Sequence, residues 1–90
     1  MSQISRSVVI ANRRGLHARA SAKFVTLAAG QPVELTVEKD GNMVTGTSIM
    51  GLMMLGAAMG DTINISASGE GAEDAVLKLV ELVEDRFGED

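Results

Sequence analysis

Residues Gly15 to Phe24 read GLHARASAKF and hold the only histidine among 90 residues. Imidazole is the side chain best suited to nucleophilic and acid-base work near neutral pH, and around this one the chain gathers Arg13, Arg14, Arg19 and Lys23. A helical pattern begins just past it, and the opening turn of a helix presents amide N–H groups without intrahelical partners. Those groups ordinarily take a Ser, Thr, Asp or Asn cap, yet none of these types directly precedes this helix. A glycine that permits unusual backbone angles, an imidazole, free amides and cations together make a receptor for a phosphoryl group carried on the ring itself. The helix start favours an anion by about 0.3–1 kcal/mol, up to about 2 in partly buried geometry, and a guanidinium adds charge-assisted hydrogen bonds. A ring nitrogen that keeps its lone pair in such a field is a nucleophile. A phosphoryl group on nitrogen is labile, which suits a group that is to be passed on.

The charge distribution agrees with an anion-handling surface. From Met1 to Val33 there is no Asp or Glu, while Arg6, Arg13, Arg14, Arg19 and Lys23 all fall there; the rest of the chain carries all 12 acids. Other chemistries fit poorly. Without cysteine there is neither disulfide nor thiolate metal site, and one histidine cannot furnish a multi-histidine site. A Ser-His-Asp arrangement needs an acid beside His17, and no motif brings Asp40, Asp61 or Asp74 there. The Gly69–Gly71 stretch GEG is too short for a phosphate loop. With no Trp or Tyr and two Phe, stacking platforms for nucleic acid are hard to build. The longest apolar stretch, IMGLMMLGAAM, is short and broken by glycine, and no leader pattern opens the chain, so the protein is expected in the cytoplasm, off the membrane and without a cofactor.

The elements that must position His17 follow from period and punctuation. ISRSVVI places Ile4, Val8 and Ile10 on one parity, a strand ending at ANRRG. From Ala18 the spacing turns helical through Ala20, Phe24 and Leu27 or Ala28, and stops at Gly30 before Pro32. VELTVEKDGNMVTG alternates from Val33 through Leu35 and Val37, turns at DGN and resumes as a hairpin. TSIMGLMML is a short helix capped by Thr47 or Ser48. DTINISAS alternates through Ile63, Ile65 and Ala67. The last stretch opens with acids, runs Val76, Leu79, Val80, Val83 and Phe87 along one stripe and closes at Gly88. The order is β-α-β-β-α-β-α in a single domain over residues 1–90. Alternating strands imply a sheet covered on one face, hence an α+β open-faced sandwich of four antiparallel strands and three helices.

NRRGLHARASAKFV followed by GTSIMGLMMLGAAMGDTINISASG closely resembles the HPr family, the histidine-containing phosphocarriers of the bacterial phosphoenolpyruvate-dependent phosphotransferase system. The resemblance spans essentially the whole chain. It implies that His17 accepts a phosphoryl group at Nδ1 from phosphorylated enzyme I and donates it to a histidine of an enzyme IIA-type protein. Arg19 would support that group, with Arg13, Arg14 and Ser21 ranking below it. It implies a stoichiometric carrier and not an enzyme. The rival reading is an HPr-like regulatory module that acts by docking in one phosphorylation state. Where the family usually has proline after the arginine, this chain has Ala20, which leaves the helix start less rigid. Ala20 and the acidic remainder incline the resemblance toward the nitrogen-related branch of the system.

Ser48 precedes an apolar helical run, so its ordinary role is an N-cap worth about 1 kcal/mol. The resemblance adds regulatory phosphorylation at Ser48 by an HPr kinase/phosphorylase. Met50, Met53 and Met54 make the second helix apolar nearly all round, more than a short helix can bury. With Leu16 and Ala20 they are the expected partner contacts, and the cations around His17 the rim. A protein offering one surface to successive partners is expected to be a monomer.

Overall fold

The computed structural model describes residues 3–89. In chain order the elements are β1 (Gln3–Val9), α1 (Ala18–Ala29), β2 (Thr36–Lys39), β3 (Asn42–Thr45), α2 (Ile49–Met54), β4 (Thr62–Ser68) and α3 (Ala72–Glu84), then one 3₁₀ turn (Arg86–Gly88). All pairings are antiparallel and the sheet runs β1-β4-β2-β3. Register follows burial: Val8 lies opposite Ile63 and Val37 opposite Ile65, so the apolar rows coincide on one face. The other face carries a polar row, where the Ser7 hydroxyl donates to Asn64 Oδ1 at 2.6 Å. Asp40 and Gly41 close the β2–β3 hairpin with φ of 52° and 84°, the two positive angles that a two-residue type I′ turn needs.

Helices cover only the apolar face. α3 lies across β1 and β4, and α1 packs beside α2 and α3. Phe24, Leu52, Ile63, Ile65, Leu79 and Phe87 fill the space between. Element order, the single covered face and the four antiparallel strands match the open-faced β-α-β-β-α-β-α arrangement expected from the sequence.

Two element boundaries differ. The β2 ladder begins at Thr36, not Val33, although the alternation continues upstream in the burial of Leu35. More consequentially, α3 ends at Glu84 instead of running to Gly88. Its last turn holds Glu81 and Glu84 and no cation, so charge opposes the negative end of the helix dipole. Arg86 and Phe87 then take left-handed φ of 57° and 55°. Phe87 still reaches the core, at 1% exposure, by a hook in the backbone and not by helical spacing.

Candidate functional site

The loop before α1 is built around Gly15. Its φ is +64°, and a Cβ there would lie 2.2 Å from the Ala57 carbonyl oxygen, so only glycine lets the two backbones meet. The contact is used at once: the Leu16 N–H donates to Ala57 O at 3.0 Å. Upstream, Ile10 N–H donates to Asp61 O and Gly60 N–H to Ile10 O, each at 2.8 Å. The segment that presents the histidine is thereby tied to the connection between α2 and β4.

His17 itself caps α1. Its backbone is extended, its carbonyl accepts the first helical bond from Ser21 N–H at 2.9 Å, and its Nδ1 accepts from Arg19 N–H at 3.3 Å. The absence of a Ser, Thr, Asp or Asn cap is thus met by the imidazole. The other ring nitrogen, Nε2, lies 2.6 Å from Glu89 Oε2. A carboxylate has no proton to give, so this contact puts the proton on Nε2 and leaves the lone pair on Nδ1, where an amide already points at it. Asn12, fully buried, braces both ends: its Nδ2 donates to Gly15 O at 2.8 Å and to Glu89 Oε1 at 3.1 Å. Partial burial alone would raise the Glu89 carboxyl. Hydrogen bonds from His17 and Asn12, with the positive charge of Lys23, outweigh it and hold the group below the usual carboxylate range.

His17 and Glu89 share a cleft of about 270 Å³ with Arg13, Arg14 and Arg19. A larger apolar groove of about 670 Å³ along α1 reaches Arg19 but not His17 and gathers no reactive groups, so the chemistry belongs to the smaller cleft. Among the described residues no cluster of three His, Cys, Asp or Glu side chains is arranged to hold a metal ion. No helix among them is long and apolar enough to cross a membrane.

The expected site residues separate into groups. His17, Arg19, Arg13 and Arg14 come together. Ser21 does not join them: it is buried, and its hydroxyl donates to Leu16 O at 3.2 Å. Leu16 and Ala20, expected as partner contacts, are corrected to core positions, because Leu16 is drawn inward with its amide bond to Ala57 and Ala20 lies on the buried stripe of α1 with Phe24. Of the two candidate caps for α2, Ser48 is the one used, its Oγ accepting from Gly51 N–H at 2.9 Å. Met50, Met53 and Met54 are 70%, 42% and 80% exposed. Sequence reasoning missed Asn12 and Glu89. Asn12 stands inside the motif NRRGLHARASAKFV; Glu89 lies 72 residues from His17, and no local pattern joins them.

Comparison with known proteins decides the family. The family model for the PTS HPr component phosphorylation site matches residues 4–85. The chain belongs to the PTS HPr family. It is 40% identical over 86 residues to the phosphocarrier protein HPr of Cupriavidus necator, covering 96% of this chain and 97% of that one. It is 36% identical over 89 residues to the phosphocarrier protein NPr of Shewanella violacea, covering 99% and 98%. The crystal structure of HPr-C-His from Thermoanaerobacter tengcongensis superposes with a TM-score of 0.89 at 41% identity, covering 100% of this chain and 99% of that one. As a member of the HPr family the chain is a phosphocarrier of the phosphotransferase system, a carried intermediate of the relay and not one of its catalysts.

Proposed function

We propose that His17 is the phosphoryl acceptor, taking the group at Nδ1 from phosphorylated enzyme I and passing it to a histidine of an enzyme IIA-type protein. The observation that carries this reading is the two-sided fixing of the ring, with Nε2–H on Glu89 and the Nδ1 lone pair facing the start of α1 in a cleft of arginines. Nδ1 attacks phosphorus while the donor's N–P bond breaks and its electron pair returns to the donor imidazole. The Arg19 amide, held only loosely at 3.3 Å, turns from Nδ1 to a phosphoryl oxygen, and the Arg19 guanidinium neutralises charge beside it. Phosphoryl transfer asks mainly for such positioning and charge stabilisation. Ala20 acts through the packing of the helix start and not through surface contact, so the departure from proline leaves this geometry intact.

Met50, Met53 and Met54 form the apolar docking face and Arg13 and Arg14 its basic rim, meeting donor and acceptor in turn. Ser48 is the regulatory position, a substrate for an HPr kinase/phosphorylase: a phosphate there keeps a favourable place at the start of α2 while adding negative charge beside the methionines. The whole chain works as one domain, a monomer in the cytoplasm. The test is intact mass after incubation with phosphoenolpyruvate, magnesium and enzyme I. One acid-labile phosphoryl group, absent from His17→Ala, supports the carrier; no gain with an active enzyme I transfers the case to a docking module.

A further inference from the structure

We propose that Glu89 is a positioning residue of the transfer: its carboxylate holds the proton on His17 Nε2, presenting the Nδ1 lone pair before transfer and keeping that proton in place while Nδ1 carries the phosphoryl group. The proposal rests on the reading of His17 as acceptor and adds to it a residue from the far end of the described chain. The hook after α3 brings that residue in. Arg86, Phe87 and Gly88 have φ of 57°, 55° and 74° in succession. Left-handed backbone at consecutive residues other than glycine is unfavourable and persists only when its surroundings hold it. Here they do. The Phe87 ring is buried, the Lys23 ammonium donates to Phe87 O at 2.7 Å, and the Glu89 N–H donates to Arg86 O at 2.9 Å. Lys23 belongs to α1, the helix that His17 caps, so the hook is registered to the imidazole it serves. Asn12 then fixes the second carboxylate oxygen.

The proton balance shows what the contact does. Before transfer the ring is neutral, with hydrogen on Nε2. When Nδ1 bonds to phosphorus and the donor's N–P bond breaks, the ring carries substituents on both nitrogens and a positive charge, which Glu89 faces directly. When the group moves on, the Nδ1–P bond breaks, its electron pair returns to Nδ1, and His17 leaves as a neutral imidazole. A ring that had lost the Nε2 proton to solvent would have to leave as an imidazolate, a far poorer leaving group. Arg13 and Arg14 from the loop and Arg19 from α1 line the cleft with the ring, and among the described residues Glu89 is the one acid there.

The full chain is compared with Glu89→Gln, which keeps an acceptor oxygen but loses the charge, and with Glu89→Ala, which loses both. Imidazole ¹⁵N NMR reads the tautomer, and back-transfer from the phosphorylated protein to enzyme I with pyruvate reads departure of the group. The expected result is an Nε2–H tautomer in wild type and Glu89→Gln, mixed tautomers in Glu89→Ala, and back-transfer slowed about tenfold in Glu89→Gln and more in Glu89→Ala. A Glu89→Ala protein with wild-type tautomer and wild-type back-transfer overturns the proposal alone. A wild-type chain that takes no phosphoryl group from active enzyme I overturns the reading of His17, and this proposal with it.

Discussion

Replacing Gly15 by alanine asks two things of the loop ahead of α1. The residue must stay at φ +64°, which costs an L-residue about 1–2 kcal/mol. The new methyl must also be given room, because its ideal position is 2.2 Å from Ala57 O and 2.9 Å from Ala58 Cα, both backbone atoms. Moving that backbone away by about 1 Å breaks the Leu16 N–H to Ala57 O bond in a buried place, a loss of about 1–3 kcal/mol. Gly15→Ala should therefore cost about 3 kcal/mol in all, and lower the melting temperature by about 12–24 °C in a domain of this size. Gly41→Ala is the control. Its φ is +84° but nothing lies within 4 Å of the added Cβ, so only the conformational cost of about 1–2 kcal/mol remains. Urea denaturation of both variants separates clash from backbone angle. A Gly15→Ala protein no less stable than Gly41→Ala would refute the close approach on which the placement of His17 depends.

Further expectations follow from single contacts. Ser48→Ala removes the cap on Gly51 N–H and should cost about 1 kcal/mol, with Ser48→Asp recovering most of it; equal midpoints for wild type and Ser48→Ala in thermal denaturation would contradict the cap. Met50→Asp, at a position 70% exposed, should change stability by no more than about 0.5 kcal/mol while slowing both charging by enzyme I and discharge to an acceptor; unaltered transfer with both would remove Met50 from the docking face. The Glu89 carboxyl lies below its ordinary value of 4.5 in the folded chain, so its contribution to stability is complete above that pH and is lost as pH falls through the folded value. The acid limb of wild-type stability should accordingly be steeper than that of Glu89→Gln, and coincident limbs would contradict the contact.

The strands, the helices and their order were legible because each carries its own period, and His17 because composition isolates it among cations. What escaped depends on contacts between distant segments. Leu16 reads as a neighbour of the reactive group, but its amide is claimed by Ala57, and the side chain follows it inward. Ala20 already belonged to the apolar stripe with Phe24, and that pattern was the better guide to its place. Phe87 keeps helical spacing from Val83, which disguises the break at Glu84; Gly88 marks only the end of the left-handed turn, and Arg86 and Phe87 enter it as non-glycine residues because tertiary contacts with α1 hold them. Glu89 could be placed only once that hook was known. No motif brings Asp40, Asp61 or Asp74 beside His17, and the acid that lies there, Glu89, comes from beyond α3.

The central claim is that Nδ1 of His17 carries the phosphoryl group. Phosphorus–nitrogen coupling in the ¹⁵N-labelled protein, charged by enzyme I and phosphoenolpyruvate, tests it most directly. The expected spectrum shows a single phosphorus coupled to Nδ1 of His17, with hydrogen retained on Nε2. Coupling to Nε2, or phosphate on any other residue, would contradict it.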